Sequence, residues 1–175
     1  MSERIKVLLS EEDIDARIGE LGAQISRDYA GRQLHLICVL KGGSFFMCEL
    51  AKRITVPVTL DFMSLSSYGE KTESSGEIVI QKDLSEPIKG KDVLVAEDIV
   101  DSGRTLSLLL RMLWDREPSS LRLCTLLDKP ERRVTDVNVD YTGFRIPDVF
   151  VVGYGLDYNQ LYRNLPYVGA MEFND

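Results

Sequence analysis

At 175 residues the chain suits one domain, spanning 1–175, with a sizeable hydrophobic core. Its 44% hydrophobic and 28% charged residues are those of an ordinary soluble globular protein, not of a disordered or fibrous one. A formal net charge of −7 argues against a surface made for nucleic acid or an anionic membrane, so an anionic ligand needs local cations. The three cysteines, Cys38, Cys48 and Cys124, are odd in number and lack metal-site spacing. They sit in apolar runs and are expected to be core thiols in a reducing cytosol. Met1 to Arg4 has no signal-peptide pattern, no apolar run approaches membrane-spanning length, and there is no internal repeat.

Along the chain, Ser10-Glu-Glu-Asp13 reads as a helix cap with acids in the first turn. Ile14, Ile18, Leu21 and Ile25 follow at helical spacing, and Gly31 stands where a helix would stop. Leu34 to Leu40 is a strand buried on both faces. His35, the only histidine, is expected to pack or face outward near its start. With no second histidine, most histidine metal sites and a Ser-His triad are poorly supported. Lys41-Gly42-Gly43-Ser44 follows and feeds a helix from Phe45 to Arg53. Here Gly-Gly permits close backbone approach or unusual dihedrals, and Lys41 supplies a cation at the strand's carboxyl end; the alternative is an ordinary strand-to-helix turn. Pro57 precedes a strand from Val58 to Met63. Ser64 to Gly76, rich in Ser, Gly and charge, reads as a long polar loop of the kind that is either a lid or disordered. Glu77 to Asp83 resumes as a strand, so the loop and its flanks can form a long hairpin.

Val93 to Ala96 is a buried strand, and Thr105 to Trp114 a helix with Leu106, Leu109, Leu110 and Leu113 at helical spacing. Between them lie Glu97, Asp98 and Asp101, then the small-residue turn Ser102-Gly103. A tight loop opening a helix offers unpaired N–H groups and a positive dipole end, which suits phosphate. The carboxylates before it repel phosphate. They suit hydroxyl groups, a magnesium ion or proton transfer. Neither a P-loop nor a dinucleotide glycine pattern is present. The alternative is an acidic strand-to-helix turn with an ordinary helix cap.

Leu121 to Leu127 is another strand, with Asp128, Lys129, Arg132 and Arg133 just beyond it: a solvated turn, or a contact for anions and carbonyls. Tyr141 to Phe144 is a short strand, and Val149 to Tyr154 a further buried one. Gly155, Asp157 and Arg163 follow, then a short segment from Tyr167 to Met171. Strands alternating with helices, the apolar runs lacking period-2 alternation, predict an α/β domain with a mostly parallel sheet flanked by helices. Ligands bind beyond the carboxyl ends of such strands. Lys41, the acidic trio, Lys129 and Asp157 all fall at such ends, and four coincidences on one rim outweigh the bland reading of each.

With these residues placed, Glu97 to Thr105 resembles the phosphoribosyl-diphosphate (PRPP) signature of type I phosphoribosyltransferases. Nearly the whole chain resembles the hypoxanthine-guanine phosphoribosyltransferase family. The resemblance implies that family's fold, with a small hood formed by the chain ends. Leu40-Lys41-Gly42-Gly43 looks like the pyrophosphate-binding turn, with a cis peptide expected at Leu40–Lys41. Ser67 and Tyr68 match the lid, placed at about 64–76. Glu97 and Asp98 match the ribose-binding acids, and Asp101, Ser102, Gly103, Arg104 and Thr105 the 5′-phosphate loop. Lys129 matches the lysine reading the purine 6-oxo group, Phe150 the stacking aromatic, and Val151 the backbone that reads the base edge. Asp157 matches the magnesium ligand and is also placed among the purine-binding residues, with Glu97 and Asp98 as further metal-binding acids, and Arg163 matches the pyrophosphate arginine. Departures are mild: Ser102 stands where Thr is common, and Gly155 where a larger residue occurs.

The resemblance implies a cytoplasmic, magnesium-dependent enzyme of purine salvage, a homodimer or homotetramer. It would move the phosphoribosyl group of PRPP to N9 of hypoxanthine or guanine, with Asp101 serving N7. Within the fold, the rivals are a transferase for xanthine or adenine and a nucleotide-sensing RNA-binding regulator. The latter needs a basic face that this acidic chain supports poorly.

Overall fold

The computed structural model describes residues 3–67 and 78–173. A six-stranded sheet forms its centre. Its strands are β2 (Leu34–Leu40), β3 (Val58–Ser67), β4 (Ile78–Lys82), β5 (Asp92–Val100), β6 (Ser120–Asp128) and β7 (Tyr141–Arg145), in the order β4-β3-β2-β5-β6-β7. All neighbours are parallel except the β3–β4 hairpin at one edge. A smaller antiparallel sheet joins the chain ends in the order β1-β9-β8, from β1 (Glu3–Leu9), β8 (Val151–Val152) and β9 (Val168–Phe173).

Alternate residues of the central strands feed two cores. Leu36, Cys38, Leu94, Ala96, Cys124 and Leu126 face α1 (Glu11–Asp28) and α2 (Ser44–Arg53). Ile37, Val93, Val95 and Leu123 face α3 (Arg104–Trp114) through Leu106, Leu109 and Leu113. Continuous apolar runs are therefore what both-face burial requires. The hood is fixed to the first core by Val151 and Val168.

The fold matches the sequence expectation in class and in most elements, and four local readings need correction. Val149 to Tyr154 is not one buried strand: only Val151–Val152 pairs, and it joins the hood, because Gly153 (φ 92°) and Tyr154 (φ 50°) turn the chain away. The predicted loop start at Ser64 falls inside β3, which continues to Ser67 by pairing with Ile78, so the hairpin is present. Tyr68 lies outside the described residues. Cys48 is exposed on α2, whereas Cys38 and Cys124 are core thiols; all three are free. β1 went unread, although Ile5 and Val7 alternate with Arg4 and Lys6. His35 packs inward, 3% exposed, with Nδ1 2.7 Å from the Thr59 hydroxyl.

Helix α1 starts as its sequence predicts. The Ser10 hydroxyl accepts from the Asp13 N–H at 3.1 Å, and Glu11, Glu12 and Asp13 occupy the positive end of the dipole. Ser10→Ala should lower stability by about 1 kcal/mol and Tm by roughly 2–4 °C. Turnover should stay at the parental level, since the Ser10 hydroxyl bonds to the start of α1 and not to a residue at the strand carboxyl ends. Thermal melting and an activity assay on the same sample check both halves.

Candidate active site

Strand order reverses between β2 and β5: the chain leaves β2 for β3 on one side, and β5 leads to β6 and β7 on the other. Their carboxyl ends lie side by side, and a crevice at such a switch point is where open α/β sheets bind ligands.

Beyond β2, the Leu40–Lys41 peptide is cis, as expected. Gly42 is pressed between two segments. A Cβ there would fall 1.9 Å from Asp98 Oδ2, and a Cβ on Gly155 (φ 100°) would fall 2.0 Å from the Gly42 carbonyl oxygen. Close approach is thus what Gly42 serves. Lys41 is exposed and extends Nζ to 3.2 Å from Gln160 Oε1. Arg163 donates to the Gly155 carbonyl at 2.7 Å and to Gln160 Oε1 at 3.3 Å, and pairs with Asp157 Oδ1 at 2.9 Å. Asp157 Oδ2 accepts from the Gln160 N–H at 2.8 Å. Gln160 was not singled out from sequence, yet it ties Lys41, Asp157 and Arg163 together. This segment holds Tyr154, Asn159, Gln160 and Tyr162 at positive φ, a concentration of unfavourable backbone typical of a functional loop.

At the end of β5, Glu97 and Asp98 adjoin, both partly buried. Burial, then the neighbouring Asp98 charge, pushes the Glu97 carboxyl well above its ordinary range. Burial lifts Asp98 to about 6, against the N–H of Ile99, which donates to its Oδ1 at 2.8 Å, and the charge of Arg163; Asp157 adds to the rise. Two crowded carboxylates of this kind suit a divalent cation. Among the described residues no three acids, histidines or cysteines converge into one cage, so Glu97, Asp98 and Asp157 are not a closed ligand set. That fits magnesium, which takes one or two carboxylates and completes its shell with water and substrate phosphates.

The turn after β5 opens α3. Gly103 (φ 81°) precedes its first residue, and a Cβ there would lie 2.5 Å from the Thr135 carbonyl oxygen. The Ser102 carbonyl accepts from the N–H groups of Val134 and Thr135, at 3.0 and 3.1 Å, which fixes the turn. Arg104 and Thr105 are exposed at the positive end of an 11-residue helix. A cavity of ≈ 320 Å³ lies against Glu97, Asp101, Ser102, Gly103 and Thr105. A larger one, ≈ 530 Å³, lies elsewhere, lined by Phe45, Tyr154 and the acids Glu11, Asp15 and Glu49, and its charge is wrong for a phosphorylated ligand.

Asp101 Oδ1 accepts from Arg132 Nε at 3.2 Å, and its carbonyl accepts from Arg133 Nε at 3.1 Å. Arg132 also lies 3.7 Å from Asp148, and Arg133 pairs with Asp128. Lys129 is only 7% exposed, with Nζ 3.9 Å from Asp148 Oδ1 and its N–H donating to the Val100 carbonyl at 3.0 Å. That burial removes a solvated-turn reading for Lys129, whereas Arg132 stays exposed. Phe150 stands 46% exposed, its carbonyl accepting from the Met171 N–H at 2.8 Å, and Val151 is buried opposite Ala170. The rim therefore gathers Lys41, Gly42, Glu97, Asp98, Asp157 and Arg163, with Asp101 to Thr105 alongside. Asp148 links Lys129 to the Arg132–Asp101 pair.

Comparison with known proteins agrees with this arrangement. The phosphoribosyl transferase domain family matches residues 6–159. A hypoxanthine phosphoribosyltransferase of Salmonella typhimurium is 50% identical over 177 residues, 100% of this chain and 99% of that protein. A hypoxanthine-guanine phosphoribosyltransferase of Staphylococcus aureus is 52% identical over 95% of this chain and 93% of its own length. The crystal structure of a hypoxanthine phosphoribosyltransferase from Staphylococcus aureus superposes with a TM-score of 0.92 at 51% identity, covering 95% of this chain and 91% of that one. The chain belongs to the type I phosphoribosyltransferase family, in its hypoxanthine-guanine branch.

Proposed function

We propose that the chain acts in purine salvage, displacing pyrophosphate from C1 of PRPP by N9 of hypoxanthine or guanine to give IMP or GMP. The observation that carries this reading is a single meeting point. The Gly42 turn, the Glu97–Asp98 pair and the Ser102–Thr105 loop adjoin at one strand reversal, with a buried lysine ending the next strand.

In this reading the N–H groups of Ser102 to Thr105 and the start of α3 hold the 5′-phosphate. Glu97 and Asp98 accept hydrogen bonds from the ribose hydroxyls, and their negative field suits the oxocarbenium character that C1 acquires. Lys41, the Gly42 main chain and Arg163 bind the departing pyrophosphate, whose charge grows as the bond breaks. Glu97, Asp98 and Asp157 are the residues that would hold magnesium, which when bound supplies further charge neutralisation. Asp101 accepts a proton or hydrogen bond from N7 of the base. Lys129 donates to O6, the Val151 main chain meets the base edge, and Phe150 stacks on its face. The lid role of Ser67 and Tyr68 rests on family resemblance, as does assembly as a homodimer or homotetramer. We place the protein in the cytoplasm on the family resemblance and on a cysteine usage that fits a reducing compartment.

Production of a nucleotide and pyrophosphate from PRPP, magnesium and each of hypoxanthine, guanine, xanthine and adenine tests the activity. No product from either hypoxanthine or guanine would sink it. Asp101→Asn keeps the shape and removes the proton acceptor, so kcat should fall by a factor on the order of 10² or more. PRPP affinity should change far less, and near-parental turnover would remove Asp101 from the mechanism.

Lys129 should set base choice. An ammonium only donates, so it pairs with the carbonyl at C6 of hypoxanthine and guanine and leaves the amino group of adenine facing another donor. Unpaired polar groups of this kind can cost factors on the order of 10⁴ in kcat/KM. The parent should strongly prefer the two oxo bases, and Lys129→Ala should lose most of that preference. Equal use of adenine and hypoxanthine by the parent would contradict the assignment.

A further inference from the structure

Phe150 is not an isolated ring. Its centroid lies 5.8 Å from that of Tyr158 at 85°, and 6.2 Å from that of Phe173 at 63°. Tyr158 and Phe173 close the triangle at 5.6 Å and 59°. Inclined arrangements of this kind are favoured by the ring quadrupoles and stabilise beyond area burial. Neither neighbour lies parallel to Phe150, and the residue remains 46% exposed. A planar partner can therefore still be accepted in parallel.

The two neighbours arrive from different places. Tyr158 directly follows Asp157 and is pinned by reciprocal hydrogen bonds with Leu161, at 3.1 and 2.9 Å. Phe173 comes from the far end of the chain. It lies on β9, opposite Glu3 of β1, two residues beyond the Met171 N–H that donates to the Phe150 carbonyl. Although 50% exposed, it turns its ring to the other two and not to either core.

We propose that Phe173, with Tyr158, is a positioning residue for the purine. Together they hold the Phe150 ring at the angle on which a base stacks. This rests on the reading of Phe150 as the stacking residue. A half-exposed phenylalanine without such neighbours samples several rotamers, and a base must then order it on binding. A ring already held in place spares that ordering, and the gain appears as affinity for the base. PRPP, bound along the rim of the central sheet, does not share it.

The test compares the parent with Phe173→Ala, Phe173→Tyr and Phe150→Leu, measuring kcat, KM for hypoxanthine, guanine and PRPP, and Tm. Phe173→Ala should raise both purine KM values roughly three- to ten-fold, the range of one aromatic pair. The KM for PRPP should stay at the parental value, and Tm should fall by no more than roughly 2–4 °C, the share of the lost ring contacts. Phe173→Tyr, which keeps the ring, should restore the purine KM. Phe150→Leu should raise purine KM at least as much, because it removes the stack itself. Parental purine KM in Phe173→Ala beside a raised value in Phe150→Leu overturns the proposal and leaves the stacking reading standing. Parental values in both overturn the stacking reading and the proposal with it. A parallel rise in the KM for PRPP, or a fall in Tm well beyond that range, makes Phe173 a structural residue and overturns its positioning role. Phe173→Leu, which keeps apolar bulk without a ring, reads the same contrast should the alanine variant fail to fold.

Discussion

Gly42 is the point at which three main-chain segments touch. Its missing Cβ leaves room for the Asp98 carboxylate on one side, and its carbonyl fits against Gly155 on another. Any larger residue at either glycine would drive apart the β2 turn, the end of β5 and the segment carrying Asp157 and Arg163. These belong to separate parts of the sequence, and no local hydrogen bond could hold them in register. The Arg163 bond to the Gly155 carbonyl, at 2.7 Å, locks the contact from behind. The rim is therefore assembled by steric permission first and by charge second.

Charge alone would not bind PRPP to this protein. The chain carries −7, and most cations near the rim already face an acid: Arg163 faces Asp157, Arg132 faces Asp101 and Asp148, and Arg133 faces Asp128. What remains for a polyanion is the exposed Lys41 and Arg104, the N–H groups and dipole at the start of α3, and a divalent cation at the crowded acids. The raised carboxyls of Glu97 and Asp98 have the same origin. Two like charges are kept partly out of water where they can act on a ribose or a metal, and burial disfavours their ionised forms.

How far the sequence reveals all this depends on the range over which each feature is encoded. Glu97 to Thr105 was legible because a buried strand, an acid run, a glycine turn and a helix follow one another within a dozen residues, each with its own local chemistry. The Ser10 cap was legible for the same reason. β1 was not, since the short alternation from Arg4 to Val7 acquires meaning only on pairing with β9 at the other end of the chain. Val149 to Tyr154 misled because an apolar run shows burial but not the positive φ at Gly153 and Tyr154 that ends the strand. Gln160 carried no signal at all: its partner Lys41 is 119 residues away. Cys48 sat in an apolar stretch, but on the outward face of α2.

The two sheets divide the labour. The groups assigned to PRPP sit mostly at the carboxyl ends of β2 and β5, on a sheet whose strands are covered on both faces. Apart from Asp101, which follows β5, the groups assigned to the base ride on the end of β6 and on the hood, where Phe150 and Val151 are held by backbone pairing to β9. The hood touches the central core through a few buried residues, Val151 and Val168 among them, and otherwise presents open surface. Packing density resists change in the first region far more than in the second. Purine recognition can thus be altered by substitutions that leave the sugar-phosphate rim in place. A substitution at the rim propagates through Gly42 into every loop that meets there.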